Sequence, residues 1–371
     1  NNQPWSQPSV FDALTGTVRF TQAINADWRW SAQIGQQRLK ADDRLAYAFG
    51  CDAEGNYDRY CSDGSYDMYD FRSENERRTQ QAARLQLKGR AQTGAVAHDL
   101  GFSVMTSQVR NRFQKQAYNW VGYGQVDGSA ITPEDPSLTT ESTNRDERSL
   151  EFSVQDAIRW NERFTTWVGL RHTRLSRDSV DTDSSSPTGY DESLTTPWLA
   201  ASYSFAPGHQ VYASYGEGVE SQIVPNKAGQ YSNAGVALPS LKSKQWELGI
   251  RGEADGWKWQ AAWFRIERPM TNLDACARLF TTPCLGQYDG SAVHQGLEAS
   301  TQWTQGAWRL DGGILLLDAK RQGSIAEPAT NGQRPPNVPR WTLRSQAAWR
   351  VAGVPGLELQ GRLSHEARRA V

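Results

Sequence analysis

From Gln245 the chain reads QWELGIRGEADGWKW, and its side chains alternate in character. Gln245, Glu247, Gly249 and Arg251 share one parity; Trp246, Leu248 and Ile250 share the other. Successive side chains of an extended strand point to opposite faces, so this stretch is a strand with one oily and one charged side. The rhythm recurs. Leu85 and Leu87 oppose Arg84, Gln86 and Lys88, and Leu150, Phe152 and Val154 oppose Glu151, Ser153 and Gln155. Trp341, Leu343, Ala347 and Trp349 oppose Thr342, Arg344, Gln346 and Arg350, while Leu357, Leu359 and Leu363 oppose Glu358, Gln360 and Arg362. Helical spacing fits none of these as well. Between Trp257 and Glu267 both parities carry aromatic residues, and the pattern assigns no face.

The connections are as informative as the strands. Tight turns fall at Asn25-Ala26-Asp27, Thr93-Gly94, Asn161-Glu162, Pro207-Gly208, Asp255-Gly256, Gln305-Gly306 and between Gly353 and Gly356. Long polar segments lie between them at 39–77, 114–147, 176–193, 220–242, 268–290 and 321–337. Short and long connections therefore alternate, defining about fourteen strands of roughly ten residues. Strands of soluble sheets run about five to six residues. Those of membrane barrels need about nine to eleven, with short turns on one side and long loops on the other. A β-sandwich would not keep every second loop short, and a propeller would need four short strands per repeat where two long ones occur. The expected fold is all-β, a transmembrane antiparallel β-barrel with Trp246, Leu248 and Ile250 toward lipid and Glu247 and Arg251 toward a wet lumen. Charged inner faces require water or a polar partner, so the lumen is wide and wet or holds a plug.

Composition agrees with an inverted distribution of polarity. Only 38% of the 371 residues are apolar, yet 15 are Trp, which suits a protein whose oily surface is the outside of its strands. Lys and Arg total 40 against 41 Asp and Glu, leaving no basic surplus for nucleic acid. No run reaches the roughly 18 apolar residues of a membrane helix. The sequence opens at Asn1 with neither an initiator Met nor a signal peptide, as expected of a piece of a longer precursor. Cys51 with Cys61, and Cys276 with Cys284, form two close pairs in polar, turn-rich segments. Their spacings match no common zinc pattern, so two local disulfides in an oxidising compartment are expected.

No metal-binding or catalytic constellation emerges, and no enzyme activity is expected. The histidines at 98, 172, 209, 294 and 365 are scattered, and HEARR carries Arg369 where a zinc helix needs its second His. GYGQVDG (122–128) lacks the spacing of a nucleotide loop. In DTDSSSPTGYDE (181–192), Ser186 stands where a calcium loop requires Gly. The long segments carry more. Tyr57, Arg59, Tyr60, Tyr66, Tyr69 and Arg72 cluster around Cys61, and Tyr118, Trp120 and Tyr123 follow in the next long segment. Aromatic rings at a barrel mouth can cradle a flat or apolar ligand, and arginines can meet its anionic oxygens. The plainer role for these rings is loop packing or the interfacial girdle. Tyr212, Tyr215, Trp246 and Trp341 are expected in that girdle or against lipid.

Several stretches resemble the TonB-dependent outer-membrane receptors, in particular their ferric-siderophore branch. They include QAINADWRWSAQIG (22–35), GRAQTGAVAHDLGFSV (89–104), FSVQDAIRWNERFTTWVGLRHTRL (152–175) and VYASYGEGVESQIVPN (211–226). LKSKQWELGIRG (241–252), HQGLEAS (294–300) and NVPRWTLRSQAAW (337–349) continue the series in order over almost the whole chain. The resemblance implies a 22-stranded barrel closed around an N-terminal plug. It places these residues at about strands six to nineteen, with the plug, the TonB-box segment and the last strands outside the sequence. It implies TonB, a ferric siderophore and outer-membrane lipid as partners, with the siderophore as transported ligand and no covalent cofactor. Haem, cobalamin or sugar complexes are alternative cargoes. A passive porin and a soluble extracellular carbohydrate-binding β-protein are the rival classes.

Overall fold

The computed structural model describes residues 3–56, 59–227, 229–277 and 283–369, so Tyr57 lies outside the described residues. The strands are β1 (Gln7–Ala23), β2 (Trp28–Ala48), β3 (Ser65–Thr93), β4 (Val96–Arg112), β5 (Ala117–Gln125), β6 (Thr143–Arg159), β7 (Phe164–Asp181) and β8 (Thr188–Ala206). They continue as β9 (His209–Glu220), β10 (Leu241–Ala254), β11 (Trp257–Thr271), β12 (Tyr288–Gln305), β13 (Trp308–Gln322), β14 (Trp341–Arg350) and β15 (Glu358–Glu366). Fourteen of them pair with their chain neighbours in one antiparallel sheet, and β5 is added beside the upper part of β3. The α-helix among the described residues is one short turn, α1 (Leu273–Ala277).

Most strands are longer than the expected ten residues, reaching 29 in β3, while β5, β14 and β15 span 9, 10 and 9. The ladders run on past the membrane at the long-loop end, so β2 and β3 stay paired from Trp28–Gly89 up to Ala48–Met68. The segment 176–193, expected as a long loop, is mostly strand, because β7 and β8 pair as far as Ser179–Thr188. The short turns fall where expected. Asp255 and Gly256 both take positive φ, 49° and 78°, the combination a two-residue hairpin needs to match strand twist.

Register assigns the faces. Glu247 lies opposite Ser214 and Phe264, and Tyr212 donates its hydroxyl hydrogen bond to Glu247 at 2.6 Å. Tyr212 is thus on the polar inner face and not in the girdle expected for it; its parity follows Gln210 and Ser214. Tyr215 and Trp246 pack together on the outer face, with ring centroids 5.4 Å apart, and Trp341 stacks on His365 at 4.7 Å. In the ambiguous segment Trp257, Trp259 and Trp263 point outward, while Phe264 points inward over Gly296. Near the short turns a second belt forms from pairs such as Phe20–Trp30 and Trp308–Trp349. Trp341 and Trp349 are eight residues apart on β14. That is about 27 Å along the strand and about 20 Å in height at a barrel's tilt, close to an apolar band of about 25 Å.

Burial is inverted relative to a soluble domain. Outward Leu248, Leu297 and Leu363 are more than half exposed. The apolar clusters instead sit under the long loops. One gathers Val224, Tyr231, Leu238, Leu273 and Cys276; the other gathers Tyr66, Met68 and Val121.

Candidate functional site

A bulge between Ala41 and Asp43 of β2 marks the base of a three-stranded arm, formed by the upper ends of β2 and β3 together with β5. Alternation continues along it and divides its residues between two faces. Tyr47 opposes Tyr69, and Phe71 opposes Tyr118, so these rings share the inner face. Tyr118 is their hub. It stacks on Tyr69 at 4.6 Å and meets Tyr47 at 5.7 Å and Phe71 at 6.3 Å. Burial, and then the neighbouring Tyr47 and Tyr69, push its hydroxyl up to about 12, so it stays a neutral donor at physiological pH.

The opposite face of the arm is an anchor. Arg72 reaches Asp70 through Nε and Nη2, both at 2.9 Å, and Nη2 also meets Glu134 at 2.6 Å. Asp70 is fully buried, and accepts a further hydrogen bond from the Asp135 backbone N–H at 3.0 Å. Tyr66 is buried with Met68 and Val121, against Trp5, and Tyr60 packs over it at 5.0 Å. Arg72 and Tyr66, expected from sequence to touch ligand, therefore hold the 126–140 loop and the chain's beginning against the arm. Their parity turns them away from the inner face.

Across from the aromatic face, the upper ends of β9, β11 and β12 and the 221–240 loop complete a cavity of about 1360 Å³. Tyr47, Phe49, Phe71 and Tyr118 line one side, and Lys227, Tyr231, Arg268 and Tyr288 the other. The volume exceeds the roughly 300–1,000 Å³ of pockets for drug-sized ligands. Arg268 makes two hydrogen bonds to Glu220, at 2.9 and 3.0 Å, which raise its pKa. Lys227 has no acidic partner among the described residues, leaving its ammonium available to an anion. The loop is held in place from several sides. Arg177 bonds Ser221 at 3.3 Å and Asn226 bonds Asp181 at 2.5 Å, while Tyr231 donates to the Leu273 carbonyl at 3.0 Å.

Both cysteine pairs are bonded, Cys51 to Cys61 between β2 and β3 and Cys276 to Cys284 beside the cavity loop. Glu54 lies near the first disulfide, but those sulfurs are committed to each other and cannot ligate a metal. Of the other residues expected at the site, Tyr69 backs the cavity wall through Tyr118. Trp120 and Tyr123 are exposed beyond it and pack edge-to-face at 5.4 Å. Arg59 and Tyr60 belong to the exposed tip. Sequence reading missed Tyr47, Phe49, Phe71, Lys227, Tyr231, Arg268 and Tyr288. A signal existed for the first two, because AYAFG (46–50) carries aromatics on the inner parity straight into the first cysteine loop.

An oily outer wall, a polar inner wall and a ligand-sized cavity at the long-loop end define an outer-membrane receptor barrel. The family described as TonB dependent receptor-like, β-barrel, matches residues 1–368, and the chain belongs to it. Among curated proteins, the ferrioxamine B receptor of Salmonella typhimurium (strain SL1344) is 26% identical over 285 residues. That match covers 74% of this chain and 37% of the relative. The crystal structure of BauA, the ferric preacinetobactin receptor of Acinetobacter baumannii, shares the fold at a TM-score of 0.78 and 19% identity, covering 96% of this chain and 52% of that one. Fiu, the ferric-catecholate import receptor of E. coli K12, shares it at a TM-score of 0.75 and 14% identity, covering 97% and 55%. The chain thus spans about half the length of these solved structures, and less of the curated relative.

Proposed function

We propose that this chain is the greater part of the barrel wall of an uptake receptor. It binds an iron–siderophore complex at its extracellular mouth and passes it to the periplasm with energy delivered by TonB. The observation that carries the reading is the cavity between the aromatic face of the arm and the Lys227 loop. Stacked rings offer a surface to a bulky chelate, and Lys227 offers charge to its anionic oxygens. The plug, the TonB contact and the remaining strands of a 22-stranded wall belong to the longer protein in this proposal. The curated relative and the two solved structures named above are all ferric-siderophore receptors by name, which supports the cargo class.

The test is a binding titration of the full-length receptor, followed by tryptophan quenching. Ferrioxamine B, a ferric catecholate and ferric citrate would serve as probes, each beside its iron-free form. Saturable binding of one ferric complex, weakened by Lys227→Ala, is expected. Absence of binding to every ferric complex, together with energy-independent conductance in a planar bilayer, would replace this reading with the passive channel.

A further inference from the structure

Neighbouring strands lose their regularity at one height, where the arm leaves the wall. Between β2 and β3 the pairing passes from Ala41–Glu76 to Asp43–Ser73, so Asp42 alone lies opposite Glu74 and Asn75. On the other side of β3 the ladder to β4 ends at Arg77–Arg112, and the ladder to β5 begins at Arg72–Ala117. Asn75 is left-handed, with φ 56°, a conformation Asn tolerates better than most residues. Its N–H donates to Asp42 Oδ1 at 2.6 Å, and its side-chain amide donates to Gln114 Oε1 at 3.3 Å. One residue thus ties the breaks together.

An extra residue in a strand changes which side chains share a face. Below the break the outward residues of β3, such as Ala83 and Leu85, are odd-numbered, and Glu76 and Arg78 share the inner parity. Had that alternation continued upward, Asp70 and Arg72 would point into the cavity, and Tyr69 and Phe71 away from it. Above the break the odd-numbered residues are inside, with Tyr69 opposite Tyr47 and Phe71 opposite Tyr118. Ser73 and Glu76 show the change of parity directly. They are three residues apart, a spacing that a regular strand places on opposite faces, yet Ser73 Oγ donates to Glu76 Oε1 at 2.5 Å. Both are buried, and Gln116, on the cavity wall, donates to the same Ser73 hydroxyl at 2.6 Å.

We infer that the bulge at Glu74 and Asn75 determines the specificity of the mouth, by selecting rings over charges for the cavity face of β3. Asn75 is a positioning residue: it sets the parity of the strand above it and touches no ligand. With the bulge, the wall is aromatic, and Asp70 and Arg72 are free to anchor the 126–140 loop. Without it, β3 would bring a carboxylate and a guanidinium to the cavity and set Tyr69 and Phe71 beneath the loop. The same segment, 66–72, suits the flat or apolar flank of a bulky chelate in one register and a small charged ligand in the other. The inference rests on the cavity being the site of the cargo, but the face itself is measurable without cargo.

The experiment compares the full-length receptor with a variant lacking Asn75, one with an alanine inserted after Asn75, and Asn75→Gly. Each is also made with Phe71→Cys and offered a bulky, water-soluble maleimide; the native cysteines are bonded to one another and do not compete. Labelling is expected in the parent and in Asn75→Gly, which keeps both the residue count and the left-handed backbone. In the two length variants it is expected to fall about tenfold, because a one-residue slip turns every side chain to the other face. New cleavage of the 126–140 loop is expected beside it, with heat-modifiable migration retained. Without the added cysteine, the length variants are expected to bind the parent's preferred probe, among ferrioxamine B, a ferric catecholate and ferric citrate, about tenfold more weakly. Labelling and loop protection that survive both changes of length would overturn the inference, as would loss of labelling in Asn75→Gly. Length variants that no longer reach the outer membrane would overturn it too, by making the bulge a requirement of the wall. A parent receptor that binds none of the probes would remove the uptake reading, and the labelling would still decide the face.

Discussion

Phe71 and Arg72 are adjacent in sequence and opposite in purpose. Phe71 shares the cavity face with Tyr118, whereas Arg72 ends in a buried ion pair with Asp70. Two substitutions separate these roles. Tyr118→Ala removes the hub of the aromatic wall and is expected to weaken ferric-chelate binding about tenfold, as loss of a buried aromatic anchor does, with protease resistance unchanged. Arg72→Ala leaves Asp70 buried without its countercharge, at a local cost of about 3–5 kcal/mol. It is expected to expose the 126–140 loop to limited proteolysis. If Arg72→Ala abolished binding with no new cleavage, Arg72 would be a ligand residue after all. Sequence reading placed the right segments at the mouth but could not divide them, because both parities of 66–72 mix rings and charges. Which parity meets the cavity depends on Lys227 and Arg268, more than a hundred residues away from Tyr118.

At the scale of strands and loops most of the architecture was legible. Lipid outside and water inside enforce strict alternation, and the two-residue turns announce themselves through Asn, Asp and Gly. Legibility failed above the membrane, where both faces of a strand are wet and alternation loses its cause. That is why the upper ends of β2, β3, β7 and β8 read as loops, and why β5 was not foreseen. Phe264 blurred its strand for a different reason: it is a large inward residue lying over Gly296. An inner-face glycine of this kind can be tested against an outward one. A Cβ on inward Gly249 would stand 2.4 Å from the Tyr212 ring, whereas one on Gly361, which lies opposite Ala347 on the outward face, would meet nothing within 4 Å. Gly249→Val is expected to reduce the heat-modifiable fraction of the receptor, and Gly361→Val to leave it unchanged. Equal yields would show that the Tyr212 ring yields without cost. The 323–340 loop supplies a second test. Burial pushes the Asp289 carboxyl up, but the Ser324 hydroxyl and the Ile325 and Ala326 N–H groups prevail and lower its pKa. A depressed folded value means the anchor is present above the unfolded pKa and is lost as pH falls through the folded one. Hydrogen exchange in this loop is therefore expected to stay slow at pH 5 and to accelerate only below about 3.9. Asp289→Ala is expected to make it fast already at pH 7.

The whole molecule is held by ladders and belts more than by a core. Its buried apolar clusters are small and lie beneath the loops, while Trp and Tyr mark the two edges of an outward apolar band. Membership of the receptor family was visible in dispersed motifs because each marks a strand or turn the wall requires. The cavity was not visible, since its two walls meet only when the sheet curls. Among the described residues β1 and β15 do not pair with each other, so each presents unpaired backbone groups. Such edges recruit other strands. These 371 residues produced alone in detergent are expected to self-associate, and the full-length receptor to run as a monomer, in light scattering coupled to size exclusion. A monodisperse, β-rich monomer from the isolated chain would mean that the two edges close on each other.

The arm's division of labour by parity also bears on how such a receptor can diverge. Tyr47, Tyr69 and Phe71 lie on the cavity side of the arm, while Asp70 and Arg72, interleaved with Tyr69 and Phe71 on β3, face the anchoring loop. Descendants can exchange the first set for other chemistries one codon at a time without loosening the second. A lineage in which such a mouth must change inherits a cavity wall that can be re-lettered while its anchor stays spelled the same.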